Sequence, residues 1–243
     1  TMTGFTVRDG NAGSGLDGGF GAGLYNEATL TLDTMRVTAN RTVATGGGGG
    51  GAGIVNLSGA TLVITGSEVI SNSASHYGGG IATLTGATLV ITNSQLLSNT
   101  AATNGGAIFN DQGTVRLSAT QLAHNVAQAG YGGAINNRGD LLVTASSLQA
   151  NSATSNGGAI VNTGVLTVTA TRLQANVSGA AGGAIASNGL LTVTMSEIIS
   201  KSAAQGGGIV VQGSGTVNES TLAYNQAGVG GAHPLKAGMD IER

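Results

Sequence analysis

The sequence predicts an all-β fold, a right-handed single-stranded parallel β-helix of about eight coils, each 24–30 residues long with three short strands. Three recurrences predict it. A Gly-Gly-Ala-Ile-like block returns along the chain, an apolar-x-apolar block follows it in every unit, and a third aliphatic residue comes five positions later with asparagine three positions beyond. Composition agrees with this reading. The 243 residues include 44 glycines, one proline, no cysteine, and only 9 basic and 11 acidic side chains, which leaves little material for charged amphipathic helices. A hydrophobic content of 40% is high enough to bury a core, so the glycine does not signal disorder.

The first block ends at Leu24, Ile54, Ile81, Ile108, Ile135, Ile160, Ile185 and Ile209, at spacings of 30, 27, 27, 27, 25, 25 and 24 residues. Repeats of this length are a mark of solenoids. The second block runs from Leu30/Leu32 through Leu62/Ile64, Leu89/Ile91, Val115/Leu117, Leu141/Val143, Leu166/Val168 and Leu191/Val193, and degrades to Gly215/Val217. Val37, Val69, Leu96, Leu122, Leu148, Leu173, Ile198 and Leu222 form the third. Each block is a short stretch of period-2 alternation between glycine, serine and asparagine breaks, which is the pattern of a strand. Stacking equivalent strands makes parallel sheets around one apolar column, and eight coils at the strand spacing give a rod of about 38 Å.

Asparagine closes seven of the eight units, at Asn40, Asn72, Asn99, Asn125, Asn151, Asn176 and Asn225, with Lys201 as the exception. The column reads as a structural ladder. At the turn leaving the third sheet an asparagine tolerates left-handed backbone, and its amide can donate to one coil while accepting from the other. Asn26, Asn56, Asn110, Asn137 and Asn162 suggest a second, less complete ladder. The glycine pairs supply positive φ for tight turns. Residues 1–230 form the β-helix, with an entry coil at 1–20 and the eight coils over 21–230, and residues 231–243 are a C-terminal tail or cap. Arg41–Gly53 carries the longest insertion, a glycine-rich excursion without the Gly-Lys-Ser/Thr ending of a phosphate loop.

Gly-Gly-Ala-Ile at 105–108, 132–135, 157–160 and 182–185, paired with apolar-x-x-Asn, resembles the repeat of chlamydial polymorphic outer-membrane proteins and related bacterial surface β-helix proteins. That family usually has Phe-x-x-Asn where leucine, valine or isoleucine stands here. The resemblance spans roughly residues 5 to 230. It implies a secreted, surface-displayed passenger or adhesin-like rod, and it carries no catalytic residues. The opening TGFTVRDGNA is similar to the entry coil of such proteins, so the chain is expected to be a mature piece or fragment that had lost its signal peptide.

Charge and motif narrow the chemistry. A net charge of −2 with scattered basic residues argues against nucleic-acid binding, and no apolar run reaches the length of a membrane span. Catalytic β-helices need clustered acids, yet no two of Asp33, Glu68, Asp111, Asp140 and Glu197 stack at one position on neighbouring coils. Arg36 with Glu68 and Arg172 with Glu197 stack as solvated cross-strand pairs. Arg116, Arg138, Asp140 and Asp111 form the one loose concentration of both signs. His76, His124 and His233 lack metal-ligand spacing, and GSGLDGGFG at Gly13–Gly21 occurs once and reads as a loop. No catalytic residue, cofactor or metal is expected.

Function is therefore sought on the surface. The outward column of the second strand, Thr31, Val63, Val90, Leu142, Thr167 and Thr192, interrupted by Arg116, is the candidate contact face, flanked by further threonines. A second apolar column, from Tyr25 through Val55, Ala82, Phe109, Asn136, Val161 and Ala186 to Val210, is expected on the first sheet. These faces fit self-association or contact with flanking parts of a longer chain. A glycan, a host surface or ice are the alternative ligands. The function expected is a non-enzymatic extracellular structural or adhesive rod that assembles into a filament or sheath, and a carbohydrate-active lyase or hydrolase is the alternative.

Overall fold

The structure, a computed structural model, describes residues 1–13, 19–44, 48–199, 201–228 and 239–242. Four parallel sheets of ten, nine, nine and eight strands run along a β-solenoid of about eight turns. One central coil shows the plan. Ile108–Asn110 lies in the first sheet, Thr114–Ser118 in the second, Gln121–Ala123 in the third and Val126–Ala127 in the fourth. The three expected strands are present, and a fourth of two residues follows the ladder asparagine. Two residues are too few to show alternation, so the sequence pattern conceals this strand.

Strands pair with their equivalents one coil away, Ile108 with Ile135 and Ile135 with Ile160. Leu122, Leu148 and Leu173 are in register on the third sheet, as are Leu141, Val143, Leu166 and Val168 on the second. All are buried in one continuous core. The glycines of each pair serve different ends. Gly105 holds φ +65°, whereas a Cβ on Gly106 would come within 2.3 Å of the Gly133 carbonyl of the next coil.

The asparagine ladder lies in the core wall. Nδ2 of Asn125 donates to Oδ1 of Asn151 at 3.0 Å and to the Leu96 carbonyl at 3.0 Å, and its backbone N–H donates to the same Oδ1 at 3.0 Å. The scheme repeats without a break from Asn40 through Asn72, Asn99 and Asn151 to Asn176. It stops at Lys201, as expected. Asn225 still donates to the Ile198 carbonyl, but its Oδ1 is buried without a partner. The left-handed turn falls one residue earlier than expected, on Ala39, Ser71, Ser98, His124, Ala150 and Ala175. The asparagine itself is not in the left-handed region and bonds along the stack, and the preceding residue absorbs the turn at a cost of roughly 1–2 kcal/mol.

The second ladder joins Asn26 to Asn56 at 2.7 Å, Asn110 to Asn137 at 2.7 Å and Asn137 to Asn162 at 2.8 Å. Thr83 interrupts it with a buried, unpaired hydroxyl. A third column was not anticipated. Between the second and third sheets, Oγ of Ser67 accepts the Met35 N–H at 2.9 Å, and Ser146, Thr171, Ser196 and Ser220 accept in the same way from the preceding coil. Each hydroxyl donates to the carbonyl two residues before it, so it is saturated inside the corner.

The expected apolar surface on the first sheet is corrected. Tyr25 is 44% exposed as expected and Val161 and Val210 are half-buried, but Val55, Ala82, Phe109, Asn136 and Ala186 are buried, because the backbone of the Gly-Gly turns passes close to the strands that follow. At the start, Met2–Thr3, Thr6–Arg8 and Asn11–Ala12 pair with the second, third and fourth sheets. Met239–Glu242 adds in parallel to Gly215–Asn218. The rest of the expected tail, with His233, and the centre of the Gly13–Gly21 loop lie outside the described residues.

Candidate contact face

Thr31, Val63, Val90, Arg116, Leu142, Thr167 and Thr192 form one in-register column on the second sheet. Alternation places them outward, since Leu62, Ile64, Leu166 and Val168 on either side enter the core. Arg116 is exposed and the others are half-buried by their neighbours. Flanking columns hold Thr61, Thr88 and Thr114 on one side and Thr65, Thr92, Thr144, Thr169 and Thr194 on the other. Val165 and Leu190, two residues before Thr167 and Thr192, extend the face with exposed aliphatic surface, Leu190 being 51% exposed. The same period-2 offset that located the threonines contains them.

Strands of five residues are about 16 Å long, and eight of them at about 4.8 Å spacing give a face of roughly 600 Å². Two such faces in contact would bury about 1,200 Å², the lower bound of specific protein interfaces. The third sheet differs in chemistry. Its outward residues include Arg36, Glu68, Arg172 and Glu197, paired at 2.7 Å and 3.6 Å and largely exposed, so they stay in water as expected.

The loose set of four charges separates into two places. Arg138 lies over the Phe109 ring, 4.9 Å from its centroid, and reaches Asp111 at 3.5 Å, while Tyr77 stacks on Phe109 with centroids 4.8 Å apart. Arg116 and Asp140 instead line a shallow depression of the second sheet with Leu142 and Thr167. Asp33, Glu68, Asp140 and Glu197 meet no other acid at the same register position on a neighbouring coil. His124 is exposed at a turn, and His76 packs against Tyr77 with a buried Nδ1 that lacks a hydrogen bond. Among the described residues no three His, Asp or Glu side chains gather in a metal-binding arrangement.

Among the described residues Lys201 is the strongly perturbed ionisable group. It fills a ladder position at 2% exposure, with Nζ donating to the Ile199 carbonyl at 2.8 Å. Burial, helped by the charge of Arg172, lowers its pKa from 10.5 to about 7. Comparison with known protein families, characterised proteins and solved structures finds no match to this chain.

Proposed function

We propose that the chain is a non-enzymatic structural rod of a bacterial cell-surface protein, displayed outside the cell, and that the second sheet is the face through which it binds another copy of itself. The observation that carries this reading is the contrast between sheets. The second sheet is the widest and presents threonine and aliphatic columns in register, whereas the third presents ion pairs and the first is covered by its own turns. Threonine and valine lose little side-chain entropy on contact, and a flat parallel sheet offers the same spacing to an identical partner. The strand acids are not stacked on neighbouring coils, which favours the structural reading over the alternative, a polysaccharide lyase or hydrolase.

Light scattering tests it. An interface of about 1,200 Å² favours association in the micromolar range rather than a permanent dimer. The weight-average mass is expected to rise above the 23.5 kDa monomer as concentration increases, and to stay near the monomer when Val63 and Val90 are both replaced by lysine. A wild type that remains monomeric, or a doubly substituted chain that associates equally well, counts against the contact face.

A further inference from the structure

Along the outward column of the first sheet, where its covering is least complete, runs a groove that self-association does not use. Its floor is Asn136, Val161 and Ala186, in register on successive coils, and its walls include Tyr131 and Asn156 on one side and Arg138 on the other. The groove, about 280 Å³ in volume, opens where the floor residue shrinks from Phe109 to Asn136. Alternation explains the floor, since Ile135 enters the core, Asn137 joins the second ladder, and Asn136 between them turns outward.

Asn136 is the telling residue. It is 4% exposed and lines the groove, and its side chain stands outside the second ladder, in which its neighbour Asn137 donates three times. An amide in the groove lining offers both a donor and an acceptor to a bound group. Asn156 accepts the Ala181 N–H at 3.1 Å, which leaves its NH2 group facing the groove. Tyr131 stands at the rim, 44% exposed, and is held by its own N–H donating to Asn104 at 3.1 Å.

We infer that this groove binds a neutral saccharide, with Asn136 and Asn156 hydrogen-bonding its hydroxyls and Tyr131 stacking on a sugar face. The ligand class follows from the wall chemistry. Arg138 is the lining cation, and its charge is offset by Asp111 and its face occupied by Phe109, so the groove is close to neutral and an anionic ligand would gain little. Hydroxyls both donate and accept, which suits an amide that offers both, and an aromatic ring covers the C–H face of a pyranose.

Saturation-transfer NMR with maltohexaose, cellohexaose and chitohexaose as neutral probes, and hexagalacturonate as an anionic one, tests the site. At least one neutral hexasaccharide is expected to receive saturation from the wild type. Asn136→Ala and Tyr131→Ala should each weaken that binding by about tenfold, and Val63→Lys should leave it unchanged. Tyr131 is at an exposed rim, so its substitution keeps the test valid should the floor variant fail to fold. Absence of transfer to all three neutral probes, binding that survives both groove substitutions, or a clear preference for hexagalacturonate would overturn the inference. Because Val63 is on the second sheet, failure here is separable from failure of the contact-face reading.

Discussion

Truncating Ile160 to alanine is expected to cost about 2–5 kcal/mol, read as a fall in the urea midpoint at unchanged slope. Ile160 is fully buried at the middle of the first sheet, flanked in register by Ile135 and Ile185. The size of the loss depends on whether the core can close over the missing atoms. Here it is held open. Asn125, Asn151 and Asn176 fix the coil spacing on one wall, and Asn137 and Asn162 fix it on another, so adjacent coils cannot slide together. In a solenoid each coil contacts only its neighbours, and a central defect therefore weakens two interfaces at once. A loss below about half a kcal/mol would place Ile160 outside the core and undo the coil register.

Replacing Lys201 by asparagine is expected to stabilise the chain, by about 2–4 kcal/mol at pH 6, with a gain that shrinks as the pH rises. Asparagine would offer Oδ1 to the Asn176 N–H and amide, and its own amide to the orphaned Oδ1 of Asn225, joining the two parts of the ladder. The sign of the pH dependence follows from linkage. With a folded pKa near 7 and an ordinary value of 10.5, the unfolded chain binds a proton between those limits that the folded chain does not. Stability of the wild type therefore rises with pH through that window, and the burial penalty is present in full below pH 7. Thermal unfolding of both proteins at pH 6 and pH 10 measures the difference. A variant that is less stable at pH 6, or a gap that widens towards pH 10, would refute this account of Lys201.

Much of this was legible from period and spacing. Register fixes the inward residues because a slip of one position would send Leu141 and Val143 to solvent. The asparagine column was legible because its bonding demands one residue type. The hydroxyl column at Ser67, Ser94, Thr120, Ser146, Thr171, Ser196 and Ser220 lay two residues before each third-block aliphatic from Val69 onward, but serine and threonine are also common turn residues, so the pattern did not stand out. The left-handed turn at Ala150 and Ala175 carries no sequence signal, since alanine neither favours nor needs that conformation and the stack imposes it. The covering of the first sheet was hidden for a related reason. Whether Val55 and Ala82 meet water depends on where the backbone of a Gly-Gly turn passes, and glycine leaves that path open.

The claim that the second sheet is the contact face is tested most directly with spin labels, which the cysteine-free chain accepts at single introduced cysteines. One label at Thr167 reports on the second sheet and another at Arg172 on the third. As concentration rises into the range where scattering detects association, the Thr167→Cys label is expected to lose mobility while the Arg172→Cys label does not. Equal immobilisation at both positions, or at Arg172 alone, would contradict the account.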